Sequence, residues 1–537
     1  MSWLVSASDR RTLLGVVLAS VVAACGASDE GADGSGGGYG GYGGTGGAGV
    51  GGYGGYGGAG GTGGAPPEQE VESTFGAPVA TGKFVWIANP ASGRVAYIDA
   101  VSLQIKLVDA GHGPTHVAAV PDPDDDVAIV LNVLSRDATI LRAGAAGLTA
   151  ASVAVPAAGN AWAVSPDGRW AIAWSDARRV ENPDPVEGYQ DISVIDLTKG
   201  AEAGTDLTVG YRPVAVAFDK AAQRAFAVTQ DGISVIALGA SPQVVKNIGL
   251  GDTPAKPATT RDVSITPDGA HALVRREGKA AIDVFSLDDS THVEVALPAP
   301  ATDLDLSSDG KTAIAVVRET SQVALLPVPG IVADPLSAVL VTIDATIGST
   351  SLAASSPVSF FYTNATPSTL LAVLDTSAAT PSPRTILMRA PILAVFPTPD
   401  AAHALVLHDA LEEAGSQYAA AVSLAPIALE LPPKIVGLDA PPISIAIAPA
   451  GDHALVATGN ESTATYELML AAMPSLKVQK LALASMPIAA GIVAAADRGF
   501  VAQKHPDGRI TFVDLKTGQA RTLTGFELST QVVDGKP

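Results

Sequence analysis

The chain reads as all-β: a repeat of four-stranded antiparallel units set about an axis, behind a glycine-rich leader. Three observations predict this. Tight turns recur, as in Ser165-Pro166-Asp167-Gly168 and Thr266-Pro267-Asp268-Gly269, where proline presets φ and glycine supplies the positive φ that closes the turn. Each turn is followed by a short buried run, Trp170-Ala171-Ile172-Ala173-Trp174 or Ala272-Leu273-Val274, and no long stretch of helical periodicity intervenes. The turns return at roughly 41 to 52 residues, the period of a four-stranded blade.

Composition bounds the rest. Of 537 residues, 47% are hydrophobic, 5% aromatic and 16% charged, enough Ala, Val, Ile and Leu for a sizeable core, which excludes a disordered mature chain. The net charge of −21 argues against a surface that tracks phosphates, so no nucleic-acid partner is expected. Cys25 is the single cysteine, which rules out an intrachain disulfide and a cysteine-based metal site.

Arg10 and Arg11 precede an apolar run, Leu13 to Ala24, of signal-peptide length and too short to span a bilayer comfortably. The run ends in Val22-Ala23-Ala24-Cys25, which resembles the lipobox of bacterial lipoproteins. Residues 1–24 are thus expected to be a lipoprotein signal peptide and Cys25 the lipidated first residue of the mature chain; an ordinary secretory signal is the alternative. Asp9-Arg10-Arg11-Thr12-Leu13-Leu14 also resembles a twin-arginine export signal, which leaves the export route open. The lipoprotein resemblance implies three acyl chains, hence a stable partnership with the membrane at about 0.8 kcal/mol per buried methylene. Gly26 stands where Asp would mark retention in some bacteria, and by that family rule the outer membrane is favoured over the inner.

Residues 25–82 are expected to be a flexible tether. Gly31 to Gly64 is almost entirely glycine, broken by Tyr39, Tyr42, Tyr53, Tyr56 and a few small residues, and about 40 residues of such chain span roughly 35 Å. The tyrosines read as solubilising filler, or as adhesive points on neighbouring envelope material. Pro66-Pro67-Glu68-Gln69-Glu70 marks the edge of the folded region.

Residues 83–537 form the repeating body, a β-propeller of seven or more blades. Turn anchors stand at Pro121-Asp122-Pro123-Asp124, Ser165-Pro166-Asp167-Gly168, Phe218-Asp219, Thr266-Pro267-Asp268-Gly269, Ser307-Ser308-Asp309-Gly310, Thr398-Pro399-Asp400 and Ala448-Pro449-Ala450-Gly451. Each is read as the turn from the innermost strand to the second. Third strands such as Arg94-Val95-Ala96-Tyr97-Ile98-Asp99 end in Asp and a turn, and the fourth is outermost. Between Asp309 and Asp400 the anchors fade, although Ser355-Ser356-Pro357 and Leu370 to Asp375 occupy the right places. The period suggests nine or ten units, which allows one large ring, two rings, or inserts. Phe526 to Val533 is a candidate latch that would supply the first blade's inner strand.

At these residues the chain resembles the YVTN-type β-propeller repeats, which share a fold with cytochrome-d1-like and lactonase-like propellers. Ile87-Ala88-Asn89-Pro90-Ala91-Ser92-Gly93-Arg94-Val95-Ala96-Tyr97-Ile98-Asp99 is similar to that family's strand, Asn-turn, strand unit. Gly111-His112-Gly113-Pro114-Thr115-His116-Val117-Ala118 is similar to its Gly-x-x-Pro lead into the next inner strand.

His112 and His116 are the candidate channel-mouth ligands, because the lead into an inner strand lies near the axis; their spacing, with no Glu between them, is not the helical zinc-protease arrangement. His271, His403 and His453 share one repeat position with Trp170, Arg224 and Thr312, which marks a turn edge and not a shared metal site. Asp122, Asp124, Asp125 and Asp126 lack the calcium-loop Gly and terminal Glu and read as a solvated turn. No Gly-x-Ser-x-Gly elbow, Walker loop or haem-attaching Cys pair occurs, so no cofactor, metal or catalytic set is assigned. The function expected is a cell-envelope lipoprotein whose propeller binds a protein or small ligand. The alternative is a periplasmic propeller enzyme, lactonase-like or redox-linked, with its site at the central channel.

Overall fold

A computed structural model describes residues 77–526 and 532–534, apart from 123, 146, 157–158, 181, 255–260, 410, 414 and 430. The expected signal peptide, Cys25 and the glycine-rich run fall outside the described residues.

The repeat starts from its turn. The Ser165 hydroxyl donates to Asp167 Oδ1 at 2.5 Å and accepts from the Trp170 amide at 2.9 Å, while Asp167 Oδ1 also accepts from the Arg169 amide at 3.1 Å. The same three bonds recur at Thr266-Asp268-His271, Ser307-Asp309-Thr312 and Thr398-Asp400-His403. So the Ser/Thr-x-Asp-Gly motif closes its own hydrogen bonds and hands the chain to the second strand. Gly168 sits at φ +70°, and a Cβ there would come 1.6 Å from the Pro121 carbonyl oxygen. Each turn is thus pressed against the turn of the preceding repeat.

Ten antiparallel sheets follow one another, nine of four strands and the last of five, each meandering from inner to outer strand. The inner strands of blades 1 to 5 are Val79–Thr81, Pro114–Val120, Ala161–Val164, Pro213–Phe218 and Arg261–Ile265; those of blades 6 to 10 are Asp303–Leu306, Ser349–Leu352, Ile392–Pro397, Pro442–Ile447 and Pro487–Val493. The chain is a β-propeller of ten blades, the upper end of the expected count. Leu370–Asp375 is the third strand of blade 7, as the fading repeat suggested.

Both faces of each sheet are buried, which explains the unbroken apolar runs. In the second strand of blade 2, Asp126–Asn132, residues Ala128 and Val130 pack with blade 1, while Val127, Ile129 and Leu131 pack with blade 3. Such clusters join every neighbouring pair of blades. Each fully buried Leu, Ile or Phe contributes about 1.5–3 kcal/mol.

The ring closes without the expected latch. Blade 1 takes its inner strand from Val79–Thr81, just ahead of residue 83, and closure comes from packing of Val85, Ile87, Ala96 and Ile98 against Phe500, Ile510, Phe512 and Phe526 of blade 10. The C-terminal strand Val532–Asp534 instead pairs with Ala520–Thr524, as a fifth strand on the outer edge of blade 10. Val79–Thr81 needs no donor because it already pairs with Phe84–Asn89.

Candidate functional site

The meander sorts connections onto two faces. Links between blades and the loops from second to third strand share one face; the turns from first to second and from third to fourth share the other. Near the axis the second face carries the repeated Ser/Thr-x-Asp turns. The first carries the described residues of the long segments 175–190 and 409–419, the latter with a hairpin of Leu411–Glu413 and Ser416–Tyr418, and residues 250–254 of the link from blade 4 to blade 5. We call it the connection face.

His112 and His116 both lie on it. His112 is in the link from blade 1 to blade 2, with its side chain exposed; its amide donates to Ser135 Oγ at 2.8 Å, and its carbonyl accepts from the Leu134 and Ser135 amides at 3.1 and 3.2 Å. Gly111 permits this, since a Cβ there would meet Ser135 Oγ at 2.3 Å. His116 is half-buried on the inner strand, two residues beyond Pro114, where the register shifts by a bulge. Its Nδ1 shares a 2.8 Å hydrogen bond with Thr115 Oγ1. Burial, and after it the Arg179 charge, push its pKa down to about 4, so the ring is neutral near pH 7. Among the described residues no group of three or more His, Cys, Asp or Glu is placed to hold a metal ion.

Beside His116, segment 175–190 opens on Asp176, which is 1% exposed. Asn160 fixes its backbone through bonds of 2.8 and 3.0 Å, and its carboxylate accepts from Arg178 Nη2 at 2.9 Å. The same Nη2 reaches the Val214 carbonyl of blade 4 at 2.8 Å. A buried carboxylate thereby aims a guanidinium across the seam between two blades.

A second cluster lies on blades 5 and 6, and sequence reasoning missed it. Asp252 pairs with Arg261 and, through both oxygens at 3.0 and 2.9 Å, with Arg276. Asp262 pairs with Arg275, which also donates to the Ala301 carbonyl at 3.1 Å. On the next inner strand Asp303 accepts from the Thr350 amide of blade 7 at 2.7 Å and from the Leu304 amide at 3.0 Å. Burial holds the Asp303 carboxyl well above the usual range, to about 6, with the Asp262 charge adding to the shift and the Thr350 amide and Arg275 opposing it. Inner strands are edges, and here side chains of one blade satisfy backbone groups of the next. The clue in sequence was the alternation Asp303-Leu304-Asp305-Leu306, acidic residues on a strand otherwise destined for the core.

The other candidates fall where their patterns placed them. His271, His403 and His453 each begin a second strand, on three different blades. In the acidic turn, Asp122 Oδ1 accepts from the Asp124 and Asp125 amides at 2.9 Å, and Arg142 and Lys199 pair with Asp122 and Asp125.

No family model and no curated protein matches the chain. Among solved structures it is similar to hydrazine synthase of Kuenenia stuttgartiensis, at 14% identity over 78% of this chain and 99% of that one, with a TM-score of 0.34. It is also similar to a dihydro-heme d1 dehydrogenase, at 13% identity over 68% and 73% of the two chains, with a TM-score of 0.38. A eukaryotic initiation factor matches at 13% identity over 74% and 94%, with a TM-score of 0.44.

Proposed function

We propose that the chain is a cell-envelope lipoprotein, anchored through Cys25 in the outer membrane, whose propeller is a binding platform of the YVTN-type repeat class. Its partner, an envelope protein or a small ligand, is held on the connection face. The observation that carries this reading is one-sidedness. Near the axis the long segments and the clusters around Asp176 and Asp252 lie on one face, while on the other face four of the turns repeat one hydrogen-bond pattern. Loops set on a rigid scaffold are where recognition concentrates, and an Arg held by a buried carboxylate is preorganised to meet a partner's acidic or carbonyl groups.

Two measurements test it. Acyl labelling in cells is expected to mark the wild-type chain, and Cys25→Ala is expected to lose both the label and the membrane fraction. A photo-cross-linker at Leu134 or Val186, which are 75% and 87% exposed on the connection face, is expected to capture a partner that the same group at Asp167, on the opposite face, does not. Unchanged membrane association of Cys25→Ala would remove the anchor, and capture from Asp167 alone would remove the platform.

A further inference from the structure

Outermost strands leave open edges, rows of unpaired backbone groups that natural sheets protect with charge. Seven of these strands carry that protection: Lys106, Asp206, Lys246, Glu294, Arg384, Lys434 and Lys477 sit on them, one to each. On blade 10 the edge is covered by Val532–Asp534. Gly147–Ala154 of blade 2 has no charge but exposes small and polar residues only. Blade 6 differs: its outer strand is Val339–Thr342, four residues without a charge, and among the described residues nothing pairs with its outward side. Val339 and Leu340 are 48% and 47% exposed, and Leu336, just before the strand, is 91% exposed. Exposed Asp334 and Asp344 flank the strand on either side.

The geometry points to a strand-addition site on this edge, taking an extended segment of a partner protein that is apolar at alternate positions and basic at its ends. Main-chain bonds along Val339–Thr342 would supply affinity, and Leu340, on one face of the edge strand, with Leu336 just before the strand, would select the alternate apolar side chains. The flanking aspartates favour Lys or Arg at the segment's ends. The molecule already uses this geometry once, where Val532, Val533 and Asp534 pair in antiparallel register with Thr524, Leu523 and Thr522 at the edge of blade 10. A second copy is the poorer occupant, because a four-residue edge falls well short of the roughly 1,600 Å² that a stable pair of proteins buries. The site is independent of how the chain is anchored and of what binds the connection face.

The test uses the full chain and a fluorescent peptide of alternating Thr and Val with a Lys at each end, read by anisotropy. Saturable binding is expected, weakened about tenfold or more by Leu340→Lys, by proline at the peptide's centre, and by Glu in place of the terminal Lys residues. Val245→Lys, at a 52% exposed position on the outer strand of blade 4, is expected to change nothing. Melting temperature shows that Leu340→Lys is folded; if it falls, Leu340→Thr and the proline peptide carry the test. Absence of saturable binding, binding indifferent to Leu340→Lys and to the proline, or a dimer in sedimentation that Leu340→Lys dissolves would each overturn the assignment.

Discussion

At Gly168 the turn meets two demands at once, a positive φ and contact with the preceding repeat's backbone. Gly168→Ala is expected to cost about 2 kcal/mol or more. Gly200→Ala, at φ +76° with no heavy atom within 4 Å, is expected to cost about 1 kcal/mol; urea denaturation of the two variants separates backbone strain from the clash. Half-buried His116 and buried Asp303 give opposite pH signatures. His116 has a folded pKa of about 4, below its unfolded value near 6.5, so the stability tied to its neutral ring is present above about pH 6.5 and lost as pH falls toward 4. Asp303 is raised to about 6, above an unfolded value near 3.9, so its contribution is present at low pH and lost as pH rises through 6. Melting temperatures from about pH 4 to about pH 7 are expected to fall less steeply on the acid side in His116→Gln, and to rise at neutral pH in Asp303→Asn. The reverse slopes would contradict these placements. His116 was legible because a Gly-x-x-Pro lead announces an inner strand. Asp303 was not, because its partner Thr350 lies 47 residues away and only the stacking of blades brings them together.

Among the elements, the second strands and their turns were the most legible, since the Ser/Thr-x-Asp-Gly bonds are local and the apolar runs serve two seams at once. Ala222 and Ala401 take the positive φ in blades 4 and 8, where Phe218-Asp219 and Thr398-Pro399-Asp400 still mark the turn. The motif faded in blade 7, where Ala353-Ala354-Ser355-Ser356-Pro357 makes the turn without Asp or Gly. The C-terminal segment was placed on the wrong side of the closure. Apolar alternation marks a strand but does not say which edge it joins, and the edge it would have completed was already filled by Val79–Thr81. The corrected placement makes a prediction. Phe526, 1% exposed and packed in the closing seam, is expected to cost about 3–5 kcal/mol as Phe526→Ala. Deletion of 527–537, which removes the outermost strand Val532–Asp534, is expected to leave the melting temperature within about 2 °C. A large loss on deletion would restore the latch.

For the whole molecule, the repeat period bounded the number of blades but not the way they close. Closure depends on the wedge between neighbouring sheets summed around the axis, a quantity that no single repeat encodes. Ten blades in one ring exceed the four to eight usual for propellers, and side-chain packing joins blades 10 and 1 across the closing seam. The connection face, the inter-blade carboxylates and the unguarded edge of blade 6 all take their positions from that ring. Electron microscopy of the purified chain, viewed down the axis, tests it most directly. A single closed ring of ten sheets, with no strand exchanged across the seam, is the expected result; two smaller rings, an open arc, or a different number of sheets would contradict it.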